Sequence, residues 1–305
     1  MSDPSSNDAP VPARAPADAA VSIAFTREEL VVLSELAQLR LPLLGDRPLG
    51  GMDPGVRDVL TGAAQRSLLA RGVATSAEDR VLVAKAAIGL LEIVAAGSLR
   101  VVCDELDGTG ALLSRRLWFA VPYAAVEVWV DEDENYRFLP FATVDLLPRI
   151  LERTGVIDAI DREGAPIPLP YGAWITARDA AYAGRLLEAR QALADGGVEG
   201  VAADAVLATL ERVQRMFGLQ IVHHPSPTTT AGGEIAWMDG GDAGVWLTPT
   251  LDQPFTTVDV RSDGWFGEPA EPAAADDLWP VPISVEPITR QAVADALLSF
   301  LPTSS

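Results

Sequence analysis

The two histidines of this chain, His223 and His224, are adjacent, so they are the first place to look for metal or proton chemistry. Neighbours on a strand point to opposite faces, and such a pair does not chelate one ion. Asp131-x-Asp133-x-Asn135 imitates the opening of a calcium loop, but the sixth position is Tyr136 where the turn needs glycine. Its twelfth position is Ala142 where a bidentate glutamate belongs, so the segment reads as a solvated hairpin turn. Asp239-Gly240-Gly241-Asp242-Ala243-Gly244 is rich in glycine, yet it joins two predicted strands and opens no helix, the setting that phosphate binding requires. Cys103 has no cationic neighbour or base in sequence to activate it. No G-x-S-x-G elbow is present, and the only lysine, Lys85, lies in an apolar stretch and not in a phosphate loop. The sequence therefore assigns no catalytic, cofactor or metal residue. The expectation is a protein that works by binding, with an enzyme whose site is assembled only in space as the alternative.

The residues suited to binding are aromatic. In Arg115 to Val121, alternation puts Leu117, Phe119 and Val121 on one face and Arg116 and Trp118 on the other. In Val126 to Asp131, three valines share a face, and Glu127, Trp129 and Asp131 share the opposite one. Trp246 likewise opposes Val245 and Leu247. Arg116, Trp118, Glu127, Trp129 and Trp246 are thus expected to form a partner-binding face on the more polar side of a sheet, because exposed tryptophan beside arginine anchors interfaces. The other reading is that helices cover this side too and the tryptophans are core.

Charge and composition limit the partner. The 305 residues carry 43 acidic and 23 basic side chains, a net charge of −20, which repels phosphate backbones and argues against nucleic acid or an anionic membrane. At 49% hydrophobic the chain can bury a sizeable core. The alanine- and arginine-rich composition suits the codon bias of a high-GC, actinobacterial genome. One cysteine excludes an intrachain disulfide. The start of the chain has no secretory character, and Val81 to Gly97 is interrupted by Lys85 and Glu92 and short for a bilayer span. The expectation is a soluble cytoplasmic protein.

These residues need elements to position them. Residues 1–22 read as a disordered tail. Thr26 and Glu29 form a capping box that opens a helix, and a second helix is predicted from Pro54 to Arg71, stopped by Gly72. Ser76 and Asp79 predict a third, apolar helix reaching Gly97, followed by strands up to Phe141 and a helix from Thr143 to Gly155. The proline-rich Ile167 to Tyr171 reads as a linker. Helices follow from Thr176 to Gly196 and along a stripe of Val206, Leu210, Val213 and Phe217, then strands, then a last helix from Thr289 to Leu301. The halves can be superposed in sequence: Leu91 to Val94 with Leu99 to Val102 matches Leu210 to Val213 with Leu219 to Val222, and Trp129-Val130-Asp131 matches Trp237-Met238-Asp239. The expected architecture is α+β, a pseudo-two-fold repeat of helices, antiparallel strands and a closing helix sharing one central sheet. The units are 23–163 and 164–305, with an irregular insertion over 248–280.

Phe25-Thr26-x-x-Glu29-Leu30-x-x-Leu33, followed by Ser67-Leu68-Leu69-Ala70-Arg71-Gly72-Val73, resembles the start of the EspG family of ESX secretion-associated proteins. Glu234 to Asp239 and Ala292 to Pro302 are similar to that family's second half. The tail and Thr248 to Pro280 exceed its pattern. The resemblance implies a pseudo-two-fold α+β fold and a cytosolic chaperone of type VII secretion. Such a chaperone holds the tip of a helical PE–PPE substrate and uses no cofactor. A different cytoplasmic interaction module, for immunity or scaffolding, would share the fold and differ in partner.

Overall fold

A computed structural model describes residues 22–45, 49, 52–77, 80–108, 111–156, 161, 164–213, 215–226, 229–248 and 281–300. Residues 1–21 of the expected tail and 249–280 of the expected insertion lie outside the described residues.

The first unit runs β1 (Ile23–Phe25), α1 (Arg27–Ala37), α2 (Pro54–Ala70), a hairpin of β2 (Ala74–Ala77) and β3 (Arg80–Val83), α3 (Lys85–Ala96), β4 (Leu99–Asp107), β5 (Leu112–Val121), β6 (Ala124–Val130), β7 (Tyr136–Phe141) and α4 (Leu146–Arg153). Apart from the hairpin, the second repeats this order: β8 (Ile167–Pro170), α5 (Tyr171–Tyr182), α6 (Leu186–Asp195), α7 (Gly200–Leu210), β9 (Arg215–Ser226), β10 (Thr229–Asp239), β11 (Val245–Thr248), β12 (Pro282–Ile288) and α8 (Arg290–Phe300). Ten strands form one sheet in the order β1-β7-β6-β5-β4-β9-β10-β11-β12-β8, with every neighbouring pair antiparallel. The units meet at β4 and β9, where Val101 lies opposite Ile221.

Strand alternation divides the core into three. Leu117, Phe119, Val126 and Val128 face α1, α2 and α3, while Met216, Met238, Trp246 and Val285 face α5, α6 and α7 on the same side of the sheet. On the opposite side one continuous core runs under both closing helices, from Leu146 and Ile150 of α4 to Val293 and Leu297 of α8. The sheet edges resist further pairing. β1 has three residues, and β8 carries Pro168 and Pro170, which have no N–H to offer.

The capping box forms as the sequence predicts: Thr26 Oγ1 accepts from Glu29 N (3.2 Å), and Glu29 Oε2 accepts from Thr26 N (3.1 Å). Arg71 then donates to the buried Glu29 carboxylate at 2.7 Å and lies over the Phe25 ring, tying the end of α2 to the start of α1.

Four local expectations need correction. Ser76 opens no helix; Val73 O accepts from Ala84 N and closes the β2–β3 hairpin, so α3 begins only at Lys85. The Val206 to Phe217 stripe does not continue one helix, because α7 ends at Leu210 and Phe217 is inside β9. Ile167 to Tyr171 is not a linker but edge strand β8 running directly into α5. The expected helix from Thr176 to Gly196 is two helices, parted at Gly184, whose φ of +73° suits only glycine.

Candidate partner-binding surfaces

The five residues singled out by sequence fall into two places. Arg116, Trp118, Glu127 and Trp129 do share a face, because Trp118 lies opposite Glu127 and Arg116 opposite Trp129 in the β5–β6 ladder. That face is covered by α4. Trp118 is 1% exposed and Glu127 fully buried, so neither is an exposed anchor. Trp246 is on the other side of the sheet and also buried, since it lies opposite Met238 while Trp237 lies opposite Leu247. The expectation of one exposed aromatic face is therefore corrected for Trp118, Glu127 and Trp246, which are buried on two different sides of the sheet, while Arg116 and Trp129 stay half-buried.

Under α4 the sheet carries an ion network. Glu127 accepts from Arg116 (2.6 Å), Arg153 (3.1 Å) and Arg149 (3.3 Å). Arg149 and Arg153 reach it together because residues four apart share a helix face. Arg116 is held in addition over the Trp129 ring, 5.0 Å from its centroid, and Arg149 over Phe141 at 4.8 Å. Three guanidiniums, two of them held over aromatic rings, thus satisfy one buried carboxylate, which fixes α4 on the sheet. Cys103 is buried in the core shared by α4 and α8, and that burial raises its thiol pKa.

The half-exposed part of the sheet lies on the opposite side, between the two helical groups. There Asp104 of β4, Gly218 and Gln220 of β9, and Glu234 and Ala236 of β10 share the face of Val102 and Met238. Arg115 of β5 donates to Asp104 at 2.7 Å on this floor. The space above Gly218 is open, and a methyl added there meets no atom within 4 Å. Small residues in strand interiors allow another chain to approach the sheet closely. No signal in the sequence marked this face, because its residues belong to three strands whose register was unknown.

Among the described residues no group of three or more His, Cys, Asp or Glu side chains gathers to hold a metal, and no helix is long and apolar enough to cross a membrane.

No protein-family model matches the chain, and no curated protein matches it in sequence. Solved structures do. The Mycobacterium tuberculosis type VII secretion system chaperone EspG5, solved in complex with the PE25–PPE41 dimer, is similar over 93% of this chain and 98% of its own, with a TM-score of 0.56 and 13% identity. The chain has an EspG-like fold. In this chain the shared ten-stranded sheet, the three-helix groups on one side and the two closing helices on the other account for every described α-helix and strand except the β2–β3 hairpin.

Proposed function

We propose that this protein is a cytosolic chaperone of type VII secretion, which binds a helical PE–PPE-type export substrate on the open mid-sheet face and performs no bond-making chemistry. The observation that carries the reading is the likeness of nearly the whole chain to a chaperone solved with its PE–PPE dimer bound. The half-exposed floor around Gly218 supplies a surface between two helical groups that can receive the tip of a helical bundle. Its charged residues, Glu234 and the Arg115–Asp104 pair, suit a polar rim around such a contact. The net charge of −20 keeps a complex with an aggregation-prone partner soluble.

The test is affinity purification of the tagged protein from its own cells, with co-expression alongside PE–PPE pairs. The expected result is a stoichiometric complex with one helical pair, lost in Gly218→Trp, a variant whose Cβ enters open space and whose fold is checked by circular dichroism. Recovery of a different single protein would move the function to scaffolding or immunity. Recovery of no stoichiometric partner would overturn the reading.

A further inference from the structure

The second unit contains a cleft of about 780 Å³ that shares no residue with the mid-sheet face. One wall is α7, which turns Ala202, Ala205 and Ala208 toward it, while Val206 and Leu210 face the core. The facing wall is the segment 164–168, seated so closely on Pro287 that a Cβ on Gly164 would come within 2.6 Å of the proline ring. Trp246 lines the cleft between them.

The shape and chemistry of this cleft select an occupant. Alanines three residues apart form a shallow groove, into which side-chain ridges of a second helix pack at short interaxial distance. Strand addition is excluded at the neighbouring edge, because Pro168 and Pro170 of β8 offer no donors. At 11 residues α7 gives the cleft a length of about 16 Å, or three helical turns. Its two ends carry opposite charges: Glu199, the exposed residue that precedes α7, and Arg212, exposed just beyond its last turn. Neither side chain has an ion-pair partner among the described residues. A helix lying antiparallel to α7 would place its N-terminal end at Arg212 and its C-terminal end at Glu199. Acidic residues favour helix N-termini and basic residues C-termini, so such a helix is complementary to the cleft at both ends.

We infer that this cleft docks an amphipathic helix of about three turns, antiparallel to α7, with leucine-like side chains over Trp246, acidic residues at Arg212 and basic residues at Glu199. It is a second protein-binding site, independent of the mid-sheet face.

Two fluorescein-labelled, stapled peptides of about 12 residues provide the probe, each with leucines at i, i+3, i+4 and i+7. One carries glutamates at its N-terminus and lysines at its C-terminus, and the other has these charges exchanged. By fluorescence anisotropy with the full-length protein, the first is expected to bind on the order of 10-fold more tightly than the second. The double variant Glu199→Lys with Arg212→Glu, changed only at exposed positions, should reverse that preference. Ala205→Trp, checked by circular dichroism for an intact fold, should remove binding of both peptides. Absence of binding to the wild type would overturn the inference. So would equal binding of the two peptides, or a preference indifferent to the double variant. Retention of PE–PPE capture in the Glu199→Lys, Arg212→Glu protein would separate this site from the proposed chaperone surface.

Discussion

The two closing helices occupy equivalent places on one side of the sheet, yet they are attached by different forces. Under α4 the contact is built on Glu127 and its three arginines, with Leu146 and Ile150 beside it. Under α8 it is apolar: Val293 and Leu297 pack on a core in which Phe217 and Trp237 face each other across β9 and β10, with ring centroids 5.5 Å apart. Each end also buries one tryptophan, Trp118 of β5 and Trp237 of β10, whose indole N–H meets no acceptor among the described residues. One topology thus tolerates an ionic and a hydrophobic anchor at matching positions. A buried ion network demands fixed geometry and loses much when one member is removed, whereas an apolar contact loses only area.

This contrast can be broken in several ways. Trp118→Ala and Trp237→Ala should each cost about 4 kcal/mol in urea denaturation, as large aromatic truncations in a packed core do. Clearly unequal losses would show that the two ends are not mechanical equivalents. Glu127→Leu should cost about 3 kcal/mol, because it leaves guanidiniums facing the sheet without their common carboxylate. Arg149→Ala should cost less, about 1.5 kcal/mol, since Arg116 and Arg153 still hold Glu127. If it costs as much as Glu127→Leu, the network works as one unit and not as separate contacts.

The smallest effect lies between the two ends, at His224 on β9. Burial, together with the positive charges of Arg100 and His223, lowers its pKa. The unfolded chain therefore binds more protons than the folded one below its ordinary value of about 6.5. Above that pH His224 is neutral in both states and contributes no pH dependence. As the pH falls through it toward the lowered native value, stability declines. His224→Gln should flatten the stability curve in this window, read by thermal denaturation across pH, and a slope unchanged by the substitution would remove His224 from the account.

Local grammar carried much of this fold. Thr26 and Glu29 announced α1 because a capping box is completed within four residues, and alternation in β5 and β6 correctly separated Leu117 and Phe119 from Arg116 and Trp118. The errors arose where a local signal had two structural solutions. Ser76-x-x-Asp79 suits a helix start, but pairing of β2 with β3 satisfies the same backbone without one. Val206 to Phe217 keeps helical spacing across a boundary that only the end of α7 reveals.

The site depended more heavily on tertiary contacts. The sequence by itself determined the composition, the charge, the class of fold and which side chains share a face within each strand, since these follow from residue type and a two-residue period. Only the tertiary structure decided which faces are covered. The burial of Trp118 and Glu127 depends on α4 crossing the sheet, and the side taken by Trp246 depends on the register between β10 and β11. The open floor at Gly218 exists because two helical groups, far apart in sequence, leave the middle of the sheet between them. Such facts arise from the packing of distant segments, and no short stretch of sequence contains them.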